Sequence, residues 1–222
     1  EQIVQFTKEA VKLGINKVRL TGGEPLVRKG IVNLVAMLSE IPGITDLSMT
    51  TNGVLLAQYA QQLKDSGLHR VNVSLDTIVP EKFRQLTRTG NIDDVMNGIQ
   101  AAQKAGLSPI KINVVIEKSP DEPDAIQVTR FAKENDLHVR YIRKMDLGKG
   151  KFWQVIGGHG GYCKSCNRLR LSGTGDVIPC LFSDLRFNIK ELGIKKALAL
   201  AISEKPEAGY ISNSTTFYNL GG

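Results

Sequence analysis

No stretch of this chain is apolar for long enough to cross a bilayer, and no secretory leader opens it. Neither a membrane span nor export is therefore expected. Cysteine is scarce. The 222 residues hold three, Cys163, Cys166 and Cys180, and none precedes Cys163. An odd, clustered set without a secretion signal excludes a disulfide framework and points to metal ligation in a reducing compartment. The cytoplasm is the expected location, or an organelle in a eukaryote. A block of like charge is also missing. Lys and Arg number 29 against 22 Asp and Glu, a formal net charge of +7, but they are spread along the chain. That spread argues against a nucleic-acid arm and for a smaller anionic partner such as a nucleoside triphosphate. Hydrophobic residues make up 41%, enough for one large domain or a domain with an appendage.

What is present is an alternation of periods. Residues 1–13 carry helical spacing (Ile3, Val4, Phe6, Ala10, Val11), and Gly14 ends them. Short β-type runs follow at 18–21, 46–51, 70–76, 110–116 and 138–142. Helical patterns separate them at 31–38, 55–63, 83–87, 95–105 and 125–135. Strands alternating with helices at this pace imply right-handed βαβ units and a parallel sheet, with ligand sites at the C-terminal strand ends. The strand count is too small for a closed eight-stranded barrel, so an open, incomplete one is expected. After Leu147 the repeat stops. Gly148-Lys149-Gly150 and Gly157-Gly158-His159-Gly160-Gly161 read as loop, 163–180 as a separate metal-binding unit, and 189–203 as one helix.

Three places carry candidate chemistry. Lys17 to Pro25 is a strand running into Thr-Gly-Gly-Glu-Pro. Gly22 and Gly23 leave backbone groups uncovered, and Glu24 is a charged acceptor at the strand end. The stretch suits a polar ligand bearing an ammonium group. Cys163 and Cys166 are two residues apart, and Cys180 returns after thirteen more. Zinc would need a fourth ligand, which His159 could supply. A cubane iron–sulfur cluster on three cysteines leaves one iron open. Arg168 and Arg170 lie beside this motif, two apart, so on extended chain they share a side and suit an anion. Lys17 and Arg19 likewise share a strand face, and Lys111 stands among apolar residues of its strand. Inward cations need partners, and a polyanion would supply them.

In order, Lys-Val-Arg-Leu-Thr-Gly-Gly-Glu-Pro-Leu, Thr-Thr-Asn-Gly, Val-Asn-Val-Ser-Leu-Asp, Lys-Ile-Asn-Val-Val and Cys-Lys-Ser-Cys-Asn-Arg-Leu-Arg-Leu-Ser resemble the GTP 3′,8-cyclase family of molybdenum cofactor biosynthesis, which are radical S-adenosylmethionine (SAM) enzymes. The resemblance runs over residues 17–145, again over 163–187, and at Gly221-Gly222. It implies an α/β fold: a partial, TIM-like (β/α)6 barrel over residues 1–147 with a C-terminal iron–sulfur region over 148–222. It also implies two [4Fe-4S] clusters. One cleaves SAM to a 5′-deoxyadenosyl radical, which takes the 3′ hydrogen of GTP so that C3′ joins C8 of guanine. By position the resemblance assigns SAM contacts to Gly22, Gly23, Glu24, Ser74 and Met145. It assigns GTP contacts to Lys17, Arg19, Thr50, Lys111, Arg168 and Arg170, and the second cluster to Cys163, Cys166 and Cys180. GTP, SAM and an electron donor are the expected partners, with a homodimer left open and neither nucleic acid nor membrane involved. The C-terminal glycines resemble a tail that enters the active site.

The chain departs from that family in several ways. The Cys-x-x-x-Cys-x-x-Cys motif that would hold the SAM cluster is expected upstream of Glu1. The stretches between Trp153 and Cys163 and before the tail are short. Arg143-Lys144 stands where an acidic and an apolar residue are usual. Two other readings are carried forward: another radical SAM enzyme with an auxiliary cluster, such as a peptide-modifying one, and a non-catalytic GTP-binding relative.

Overall fold

The computed structural model describes residues 1–213, so the Gly221-Gly222 tail lies outside the described residues. Helix α1 (Gln2–Lys12) leads into strand β1 (Lys17–Leu20). Four further strands follow, β2 (Asp46–Thr51), β3 (Arg70–Ser74), β4 (Lys111–Ile116) and β5 (His138–Arg143). They are joined by helices α2 (Ile31–Ser39), α3 (Leu56–Asp65), α4 (Pro80–Thr87), α5 (Ile92–Lys104) and α6 (Pro123–Glu134). The sheet is wholly parallel, in the order β1-β2-β3-β4-β5. An open α/β sheet is thus what the alternating periods predict, although five parallel strands stand among the described residues where the resemblance implied six.

Local chemistry accounts for the helix starts. Proline occupies the first turn of α4 and α6, where a missing N–H costs nothing. The Asn91 side chain accepts from the Asp93 N–H at α5, with Asp93 and Asp94 facing the positive end of the helix. The short run at 83–87 extends to Pro80, because a proline start is not visible to hydrophobic spacing.

The helices lie on one face of the sheet only. Leu47, Met49, Val71, Val73, Ile112 and Val114 point into them and are fully buried, together with Leu38, Leu56, Leu63, Val95 and Val128. Alternate residues of the same strands therefore face the other way, with Ser48, Thr50 and Asn72 buried there and Arg19 and Ser74 exposed.

Beyond β5 the chain does not add a parallel strand. It turns at residues 144–154 and returns antiparallel, with Tyr141 and Ile156 exchanging both backbone hydrogen bonds. Gly157 makes this approach feasible. Its φ is +75°, and a Cβ there would stand 2.6 Å from the Val139 carbonyl oxygen. The C-terminal part then forms a small antiparallel sheet, β6 (Arg170–Leu171), β7 (Asp176–Ile178) and β8 (Phe187–Asn188). No alternating pattern announces it, since its strands are two or three residues long. The helix expected over 189–203 is two, α7 (Ile189–Leu192) and α8 (Ile194–Ser203), because Gly193 at φ +76° breaks it. Val177, Ile189, Ala197, Leu198 and Ala201 form their core, and Ala10 of α1 joins it, with Phe6 packed against it.

Candidate active site

Strand register arranges the concave face into rows. Arg19 lies beside Ser48, and Ser48 beside Arg70. Thr50, Asn72, Lys111 and His138 form the next row, then Ser74, Asn113 and Arg140. Cations from four of the five strands thus converge on one surface. Two of them, Arg70 and Arg140, escaped sequence reading because each looks like an ordinary polar position in its own strand. Only the register places them next to Arg19 and Lys111.

The electrostatics follow from that crowding. Arg19 keeps solvent contact, yet protein surrounds it closely. Burial first, then the charges of Arg70, Arg140 and Arg168, push its guanidinium down to about 10, with Asp46 opposing. Lys111 and Arg140 are also shifted down, each by burial first and by neighbouring arginines next. Asp46 is the counter-charge in this wall. Its carboxylate receives Arg70 Nε at 3.0 Å and a second guanidinium nitrogen at 2.6 Å, a two-pronged pair. Asp46 is the one acid that counts in these shifts, set against Arg19, Arg70, Lys111, Arg140 and Arg168, so a surplus of positive charge faces the concavity. Lys17 is exposed at the start of the same strand as Arg19. Thr50, assigned a GTP contact by resemblance, is largely buried, and its hydroxyl accepts a long 3.4 Å bond from the Asn72 amide.

The loop after β1 is held by Glu24. Its Oε1 accepts from the Leu26 N–H at 3.0 Å and from the Thr51 hydroxyl at 2.7 Å, and its Oε2 accepts from the Asn52 N–H at 2.7 Å. The side chain read as an ammonium acceptor is thus already engaged by three donors of its own chain. It fastens the loop to the end of β2. Gly22, at φ +149°, and Gly23 have nothing within 4 Å of where a Cβ would be, so their backbone lies open to a ligand. Ser74 is exposed at the end of β3. Met145, Phe152 and Cys180 pack against a cluster of Leu147, Ile178, Leu181 and Phe182.

Cys163, Cys166 and Cys180 are all unpaired, and Cys163–Ser165 is one tight turn closed by the Cys166 N–H on the Cys163 carbonyl. Burial first raises the Cys180 thiol. A hydrogen bond from the Phe182 N–H and the charge of Lys205 act the other way, while Cys166 and Cys163 add to the rise. The three sulfurs therefore feel one another. Among the described residues, however, no three His, Cys, Asp or Glu side chains gather tightly enough for one metal ion. His159 instead lines a cavity of about 310 Å³ with Gln154, Tyr162 and Ser165. Three thiolates can each take one iron of a cluster, whereas a zinc ion takes four ligands. Arg170 is half-buried beside them. Its guanidinium is pushed down by burial and by Arg168, and held up by Cys166 and Cys180. It links the cysteine loop to the arginine wall, because Arg168 also acts on Arg19 and Arg140.

Arg143 and Lys144, unusual by resemblance, are occupied locally. Arg143 lies 4.2 Å over the Trp153 ring and donates to the Glu117 carbonyl, while Lys144 pairs with the Glu117 carboxylate at 2.8 Å.

A concave parallel sheet with an open Gly-Gly backbone at β1 and a cysteine loop facing it defines a class, and sequence comparison supports the same one. The chain belongs to the radical SAM superfamily, whose family model matches residues 1–131. Within that superfamily it falls in the GTP 3′,8-cyclase family. It is 36% identical to the GTP 3′,8-cyclase of Moorella thermoacetica over 266 aligned positions, covering 96% of this chain and 82% of that protein. The enzyme of Thermodesulfovibrio yellowstonii is 38% identical, with 89% and 74% covered. The first alignment is longer than this chain, so at least 266 − 222 = 44 of its positions have no residue here. Among solved structures, anSMEcpe with bound AdoMet superposes with a TM-score of 0.62 at 16% identity, over 92% of this chain and 70% of that one. Methylornithine synthase gives 0.51 at 20% identity, over 64% and 42%. At these identities the likeness is one of fold. No helix among the described residues is long and apolar enough to cross a membrane.

Proposed function

We propose that this chain acts as a GTP 3′,8-cyclase, converting GTP to 3′,8-cyclo-7,8-dihydro-GTP with SAM as the radical source. The carrying observation is the wall in which Arg19, Lys111 and Arg140 are shifted down by burial and by one another's charges with those of Arg70 and Arg168, and in which Asp46 is the carboxylate that opposes them. A triphosphate brings the negative charge that this wall lacks, and arginine forks match phosphate oxygens. Bound SAM with its [4Fe-4S] cluster supplies a 5′-deoxyadenosyl radical when reduced by an electron donor. The open backbone of Gly22 and Gly23 suits the methionine ammonium, and Glu24 holds that backbone in place. Ser74 and Met145 remain proposed SAM contacts, with Lys17, Thr50 and Arg170 proposed for GTP.

Residues 148–222 serve in this reading as the cluster-bearing region beside the barrel of residues 1–147. Cys163, Cys166 and Cys180 would hold a second [4Fe-4S] cluster whose remaining iron supplies a Lewis-acid position for the guanine. Arg170 and Arg168 orient the nucleotide between that loop and the wall. The geometry leaves a homodimer compatible with this reading.

Calorimetric titration of the anaerobically prepared protein with GTP and GMP tests this. GTP is expected to bind at least tenfold more tightly than GMP, and Arg168→Ala with Arg170→Ala to weaken GTP about 10- to 100-fold, in line with charge-assisted hydrogen bonds. Equal affinity for GTP and GMP, or indifference to both substitutions, would rule the reading out.

A further inference from the structure

The β6–β7 ladder ends at the pair Arg170 and Ile178. Beyond it the two chains run on to the cysteines, through Arg168 on one side and Pro179 on the other. They cannot continue to pair with each other there, since proline has no N–H to donate. Both carbonyls need a donor. Lys205 provides it. Its ammonium donates to the Arg168 carbonyl at 2.8 Å and also to the Pro179 carbonyl. Arg168 lies two residues after Cys166, and Pro179 immediately precedes Cys180. An ammonium, with three donors and no acceptor, is the right group to join two acceptors.

Lys205 is also fixed from behind. It follows the end of α8, where the Glu204 N–H donates to the Leu200 carbonyl and the Lys205 N–H to the Ile202 carbonyl. Helix α8 is anchored by Ala197, Leu198 and Ala201 against Val177. Among the described residues no carboxylate forms an ion pair with Lys205. Its charge is bound by dipoles and left unneutralised beside Cys180.

We infer that Lys205 is a positioning residue for the iron–sulfur cluster: it supplies the missing rung that holds the Cys166 and Cys180 segments together and sets a positive charge beside Cys180. This rests on reading the three cysteines as cluster ligands. The test is read on the cluster that Cys163, Cys166 and Cys180 would hold.

The test reconstitutes wild type, Lys205→Arg, Lys205→Gln and Lys205→Met with iron and sulfide under anaerobic conditions. Iron release to a chelator and the cluster's reduction potential, followed by electron paramagnetic resonance, are then measured. The Met variant is expected to release iron at least tenfold faster, within the range seen when an outer partner of a metal ligand is lost. Gln keeps donors without charge and should fall between Met and wild type, while Arg should retain iron as wild type does. The potential should move to more negative values in both Gln and Met, because a nearby cation favours the reduced cluster, and stay put in Arg. Thermal melting of the iron-free proteins separates these effects from misfolding. If Met does not fold, the Gln potential alone decides. Wild-type release rate and potential in Met, or an unmoved potential in Gln, would overturn the inference. Failure of the wild type itself to take up iron would instead overturn the cluster reading on which it stands.

Discussion

Arg19 shows how a single side chain can be adverse to the fold and useful to the site. A base whose folded value is pulled down lowers stability while it is charged in both states. For Arg19 that effect is fully present below a pH of about 10 and is relieved only as pH rises from there toward the ordinary arginine value. At neutral pH the repulsion therefore stands. Solvent in the concavity screens much of it, leaving on the order of 0.5–1 kcal/mol. Replacing Arg19 by Gln is expected to raise the melting temperature of the ligand-free protein by about 1–3 °C. The same change should weaken GTP binding at least tenfold, so that added GTP stabilises the variant less than the wild type. Calorimetric melting with and without GTP checks both signs. A variant less stable than wild type without ligand would contradict this account of the wall. Lys17, Arg19 and Lys111 could be picked from sequence because each interrupts or flanks an apolar run. Arg70 and Arg140 could not, since nothing in one strand tells which residue of the next will lie beside it.

At the scale of the element, the loop after β1 is built by contacts at long sequence separation. Glu24 was legible as a functional residue from its motif, but its bonds to Thr51 and Asn52 join segments 27 and 28 residues apart. Periodicity carries no such information. Loss of this carboxylate leaves the Asn52 and Leu26 N–H groups without their acceptor. Glu24→Ala is expected to cost about 2–3 kcal/mol, a fall of roughly 5–10 °C in melting temperature. Glu24→Gln retains one acceptor oxygen and should lose about half as much. Chemical denaturation of both variants measures this, and an unchanged midpoint for Ala would show that the loop holds without the clamp. The parallel core was readable for the opposite reason. Strands such as Lys111–Ile116 and helices such as α6 are long enough to display their own period, whereas β6, β7 and β8 are too short to show one.

For the molecule as a whole, the lost alignment positions and the five-strand sheet raise one question: how a parallel sheet can stop early. The answer lies in the return of Ile156 against Tyr141. An unfinished sheet presents a row of free backbone donors and acceptors, and any extended segment of a neighbouring molecule can complete it. Here the chain's own next segment pairs with that row at Tyr141, and Gly157 permits its close passage over the Val139 carbonyl. A Gly157→Val substitution is expected to lift the segment off, because its Cβ would meet the Val139 carbonyl. The exposed rim should then recruit other copies. Light scattering across a concentration series would show association in the variant at concentrations where the wild type is unchanged, and identical scattering would mean the rim is guarded otherwise. What this glycine protects is therefore colloidal: the freedom of each molecule from its neighbours in a crowded solution.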